Sequence, residues 1–139
     1  MNRLTKGIGL FGSVITSGRT SHLGIHSVKR TSATVADGAS MVATAAHIVT
    51  NTIVSATPTA ARNLTTAIGS LIIALLPEAQ VGDCTEFTVV NLAAATHAIT
   101  LTAGVSGVTI VGSAVISAAS SGTFLVRYDS PTAVTFIRK

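Results

Sequence analysis

The stretch AGVSGVTIVGSAVISAASSGTF, Ala103 to Phe124, contains no Asp, Glu, Lys or Arg. It lies within a longer uncharged run, Phe87 to Val126, in which His97 is the one titratable side chain. A run this apolar fits a membrane segment, a fibre or the core of a folded domain. Gly104, Gly107, Gly112 and Gly122 decide between them, because they cut the stretch into short pieces. A membrane helix needs about 20 continuous apolar residues and a membrane-barrel strand about 9–11. The pieces here suit short strands of a folded sheet. GVTIV (Gly107–Val111) and AVISA (Ala114–Ala118) flank Gly112-Ser113. Gly at the first central position predicts a two-residue type II′ hairpin there.

The same strand pattern extends in both directions. CTEFTVVN (Cys84–Asn91) and HAITLTA (His97–Ala103) read as strands, and GTFLVRYD (Gly122–Asp129) and AVTFIRK (Ala133–Lys139) flank the turn residues Ser-Pro-Thr. Upstream, HIVTNTIVSATP (His47–Pro58) is rich in β-branched residues and is predicted as a strand. Between them, Ile68, Leu71, Ile72 and Leu75 recur at helical spacing, so one short helix is expected over about residues 65–76, capped by Thr65 or Thr66 and stopped by Pro77. VGD (Val81–Asp83) reads as the turn into the next strand. The expected fold class is mainly β: a small antiparallel β-sandwich or barrel with that one helix and an extended N-terminal arm.

Charge divides the chain in two. Residues 1–36 hold Arg3, Lys6, Arg19, Lys29 and Arg30 and no acid, while residues 37–139 hold four basic residues against five acids. The net charge of +4 therefore belongs to a basic arm, residues 1–36, and not to the β-rich assembly domain, residues 37–139. Charged residues make up only 10% of the chain, against roughly 25% for an ordinary soluble domain. A body solvated by Thr, Ser and Asn, with so little charge, is expected to hide surface against partners. The chain is therefore expected to form a homo-oligomer, a trimer, with Val108, Ile110, Val115 and Ile116 in the subunit interface. The five arm cations are expected to anchor it to a neighbouring protein. Nucleic-acid binding is disfavoured, since five charges over 36 residues are sparse and only Phe11 is interleaved with them. The basic start with its following apolar stretch is broken by Gly7, Gly9 and Gly12 and does not read as a signal peptide.

Catalytic patterns are thin. His22 and His26 stand four apart, but Gly24 lies between them and no acid or Cys is adjacent, so no metal site is predicted. GIGLFG (Gly7–Gly12) has dinucleotide-loop spacing without the preceding strand that such a site requires. Cys84 is the only cysteine, which rules out an intramolecular disulfide. A Cys84–His97 pair is expected to lie over 20 Å apart along paired strands, and Cys84 is expected to be a buried or half-buried small hydrophobe. Asp83 and Glu86 read as turn and solvent-facing residues. No enzymatic activity and no cofactor are predicted.

Several segments together carry a resemblance: TPTAARNLTT (Thr57–Thr66), PEAQVGDCTEFTVVN (Pro77–Asn91), GVTIVGS (Gly107–Ser113), SGTFLVRY (Ser121–Tyr128) and TAVTFIRK (Thr132–Lys139). In that order they resemble small β-rich structural proteins of tailed phages and large double-stranded DNA viruses. The resemblance implies a virion component of the minor capsid or decoration type, made in the host cytoplasm and located in the capsid. It would associate with itself and with the major capsid protein or other virion proteins. The alternative is a receptor- or carbohydrate-binding module of a viral fibre, which would need exposed aromatic side chains for sugar stacking.

Overall fold

The computed structural model describes residues 30–139. Among the described residues, ten strands form two sheets. In chain order they are β1 (Thr31–Thr34), β2 (Met41–Ala43), β3 (Thr52–Ala56), β4 (Arg62–Thr66), β5 (Cys84–Asn91), β6 (Ile99–Thr102), β7 (Val108–Val111), β8 (Val115–Ile116), β9 (Ser120–Ser130) and β10 (Ala133–Arg138). A short helix, α1 (Gly69–Ile73), follows β4. The six-stranded sheet has the order β1-β3-β5-β9-β10-β7 and the four-stranded sheet the order β2-β4-β6-β8. The mainly β, two-layer reading of the sequence is correct, and the sandwich is open rather than a closed barrel.

Strand direction departs from the expected antiparallel pattern. From β1 to β6 the chain alternates between the sheets, and each strand stacks parallel on the strand two steps earlier. The product is a short solenoid of two-sided coils. Thr31 pairs with Thr52 and Met41 with Leu64, a repeat of 21 to 23 residues. The next coil lengthens to 35 to 37 residues, Ile53 to Thr88 and Arg62 to Ile99, because the β4–β5 link carries the insertion that holds α1. Antiparallel pairing is confined to the C-terminal part, where β9 pairs with β5 and with β10 and β8 with β6, while β7 lies parallel to β10. Alternating apolar residues mark a half-buried strand whatever its partner's direction, so the period could not reveal the stacking.

The core lies between the layers. Val54, Phe87, Val89, Phe124, Val126, Val134 and Phe136 from one sheet meet Met41, Leu64, Ile99, Leu101 and Ile116 from the other. Phe136 sits edge-on to both Phe87 and Phe124, with ring centroids 6.0 and 6.4 Å away. Each such buried side chain contributes about 1.5–3 kcal/mol relative to exposure. Polar joints hold the layers in register. Asn91, fully buried, donates from Nδ2 to the carbonyls of His97 (2.8 Å) and Ile116 (3.0 Å), and its Oδ1 accepts from the Ala93 amide (3.0 Å). At the sandwich edge Asp37, between β1 and β2, accepts from Arg62 Nε (2.6 Å) and the Thr59 hydroxyl (2.6 Å), which clasps one coil to the next.

Three local expectations change. Residues 107–118 do not form a hairpin. β7 pairs parallel with β10 and β8 pairs with β6, so the Gly112 turn crosses between sheets. Gly112 has φ 91°, as a primed turn would, but a Cβ there would come 2.9 Å from Arg138 Cβ. Arg138 stacks on Phe124 and donates to the carbonyls of Ser113 (3.0 Å) and Val115 (3.1 Å), directing the chain across the sandwich end. His47–Asn51 is a π-helical turn rather than strand, with Thr44 and His47 exchanging side-chain and backbone hydrogen bonds at its start. The strand begins only at Thr52, which takes a left-handed φ of 66° and buries an unpaired hydroxyl. Finally, α1 is shorter than the expected 65–76. Thr65 and Thr66 belong to β4, and the Thr66 hydroxyl accepts from the Gly104 amide instead of capping a helix. Of the helical stripe, Ile72 is buried whereas Leu71 and Leu75 face solvent. Gly69 is required by close approach, since a Cβ would lie 2.3 Å from the Gly107 carbonyl oxygen.

Asn91→Ala removes the partner of two carbonyls and one amide, and unfolding in urea is expected to show a loss of about 3 kcal/mol. The Asp37 carboxyl is held well below its usual range, first by the Arg62 hydrogen bond and then by that of Thr59. A depressed folded-state value stabilises above the unfolded value, near 3.9, and that stability is lost as pH falls below it. Asp37→Asn is therefore expected to flatten the fall in stability below about pH 4, followed by thermal unfolding at several pH values.

Candidate functional site

Two surfaces stand out. The first is the outer face of the four-stranded sheet. Register places Val42, Thr65 and Thr102 in one row across β2, β4 and β6. Asn63, Thr100 and Val115 form a second row across β4, β6 and β8. Neighbours in a row stand about 4.8 Å apart, and the rows about 6.6 Å. None of the six residues is charged, and Val42 and Val115 are each about half exposed. The Thr65 and Thr102 hydroxyls lie 2.9 Å apart and bond each other.

The outer face of the six-stranded sheet is different, because the charges of the body gather there. Glu86 accepts from Lys139 Nζ at 2.6 Å and pairs with Arg30 at 3.3 Å. These partners, Lys139 first, lower its carboxyl below the usual range. Asp129 accepts from the Thr135 hydroxyl (2.5 Å) and from Arg127 Nε (2.6 Å), and the Thr135 bond is the main cause of its lowered pKa.

The predicted interface residues divide between surface and core. Val115 lies in the uncharged face, Val108 and Ile110 pack half-buried against the core from β7, and Ile116 is 1% exposed inside the core. Ile116 is therefore unavailable to a partner; its strand alternation with Val115 points it inward. The face itself was missed because its members come from four strands spread over residues 42–115, and only the coil register brings them together. Of the predicted arm cations, Arg30 is tied to Glu86; Arg3, Lys6, Arg19 and Lys29, like His22, His26 and the Gly7–Gly12 loop, lie outside the described residues. Thr31–Thr34 of the basic segment is edge strand β1.

The second surface is a cavity of about 460 Å³ at one end of the sandwich, between the α1 insertion and the start of β5. Leu75, Leu76, Val126 and Val134 line it with apolar groups, and Tyr128, Cys84, Glu78 and Asp83 are its polar neighbours. Asp83 closes the turn before β5 by accepting from the Gln80 amide at 2.9 Å. Cys84 is exposed, contrary to the buried position expected of it, because it opens the strand on its outward-facing side. Its thiol meets only the Gly82 carbonyl, at 3.6 Å. His97 lies at the far end of β5, beside Asn91, about 23 Å along the strand from Cys84. Among the described residues, no three His, Cys, Asp or Glu side chains gather as metal ligands, and no helix is long and apolar enough to cross a membrane.

Comparison of the chain with protein-family models, with curated proteins and with solved structures finds no match. Cys84→Ser is expected to change unfolding free energy by less than about 0.5 kcal/mol in urea titration, as for an exposed side chain.

Proposed function

We propose that this chain is a non-enzymatic assembly protein that forms a homo-oligomer through its β body. The outer face of the four-stranded sheet carries this reading. It is uncharged, and its two rows of Thr, Asn and Val are repeated by the coil register. Covering it strips no ion of water, and the Thr65–Thr102 hydroxyl pair is already satisfied within the chain. The resemblance of the strand segments to virion proteins points to a minor capsid or decoration protein, with a trimer as the assembly and the basic N-terminal segment gripping a neighbouring capsid protein. A carbohydrate-binding role draws less support from the fold, because Phe87, Phe124 and Phe136 are committed to the core.

The native mass by light scattering tests the reading. The expected result is a defined oligomer, with Thr65→Lys plus Thr100→Glu yielding a folded monomer with unchanged circular dichroism. A wild-type monomer at all concentrations would refute it. Deleting residues 1–29 is expected to leave the oligomer intact, since β1 and the whole described core remain.

A further inference from the structure

The cavity at the sandwich end has a rim whose charge is not balanced within the described chain. Every described cation is engaged: Arg30 and Lys139 by Glu86, Arg62 by Asp37, Arg127 by Asp129, and Arg138 by Phe124 and two carbonyls. Of the five acids, Glu78 and Asp83 are the two without a cationic partner among the described residues, and both border this cavity. The remaining four cations of the sequence, Arg3, Lys6, Arg19 and Lys29, all lie in residues 1–29, which contain no acid. The same segment carries Leu4, Ile8, Leu10 and Phe11 interleaved with Arg3 and Lys6. The cavity wall is correspondingly apolar, with Leu75, Leu76, Val126 and Val134 lining it.

The described chain begins at this end of the sandwich. Arg30, the first described residue, pairs with Glu86 on β5, two residues from Cys84 on the cavity wall. A stretch of 29 residues spans up to about 95 Å when extended, so its reach does not limit it.

We propose that this cavity is the docking site for residues 1–29 of this chain, with Leu4, Ile8, Leu10 and Phe11 as apolar anchors and Arg3 and Lys6 facing Glu78 and Asp83. The proposal is independent of oligomerisation through the four-stranded sheet, since docking within a monomer satisfies it equally, and it gives residues 1–29 a site on this chain in place of a neighbouring protein.

Cys84 is the only thiol and lines the cavity, which makes it the reporter. The body, residues 30–139, contains the whole described core from Val35 to Phe136, and its circular dichroism is matched to that of the full chain before labelling. A neutral aromatic disulfide reagent is expected to modify Cys84 about tenfold more slowly in the full chain than in residues 30–139, with the difference shrinking at high salt. A synthetic peptide of residues 1–29 is expected to restore protection to the body saturably. The same peptide with Leu4, Ile8, Leu10 and Phe11 changed to Ser is expected to fail. Equal rates in the full chain and the body would overturn the proposal. So would equal protection by the Ser-substituted peptide, since that would show general attraction of charge rather than docking. Native mass is measured separately, so a monomer would count against the assembly reading and leave this one standing.

Discussion

Asn91 sets the spacing on which the rest of the sandwich depends. It ends β5, the strand shared by the solenoid part and the antiparallel part, and turns its amide into the gap between the layers. One side chain there joins the six-stranded sheet to the approach of β6 and to β8. A buried amide is tolerable only when its donors and acceptor are matched, and here each has a partner. A hydrophobe would fill the space and leave three backbone groups unpaired. The layers must therefore meet at one register, and the rows of the outer face inherit that register through β6.

Arg138 plays the complementary part at the C-terminal side. Its guanidinium lies against Phe124 and bonds two carbonyls of the Gly112–Val115 crossing. It is the one described cation that spends its charge on backbone and an aromatic ring rather than on a carboxylate. That use explains how a segment with no charge of its own, Ala103 to Phe124, is steered from one sheet to the other.

The sequence was legible where the signal is local. The strand Cys84–Asn91, the Ser-Pro-Thr turn between β9 and β10, and the break-up of the apolar run into short strands with no membrane-length helix all follow from side-chain period and turn residues. It was illegible where two elements distant in sequence decide the outcome. A positive φ at Gly112 suits a hairpin and a crossing equally, and the crossing is held by partners distant in sequence: Arg138, 26 residues later, and the pairings of β7 with β10 and β8 with β6. Gly69 reads as a weak point in a helix, but the backbone of Gly107 and Thr132 approaches it too closely for any side chain. Thr52 shows the opposite conflict: a β-branched residue suited to a strand is forced into a left-handed turn by the π-helical segment before it. The candidate face was legible only as a lack of charge. The position of Ile116 inside the core, next to exposed Val115, shows that composition identifies a neutral surface without identifying its members.

The neutral face and the charged face are consequences of one division of labour. Nearly all the described ion pairs lie on or beside the outer face of the six-stranded sheet, and the Asp37–Arg62 clasp sits at an edge. That leaves the four-stranded sheet with hydroxyl, amide and methyl groups alone. A face of this kind is weakly held by water, because it offers no ion to solvate. It is also inexpensive to cover, because part of its hydrogen bonding is internal: Thr65 bonds Thr102 across the strands. An apolar face of equal size would be a stronger sink but would associate without regard to register. Threonines repeated at strand spacing favour a partner whose own strands match that spacing, and a second copy of the same sheet meets the requirement without further adjustment.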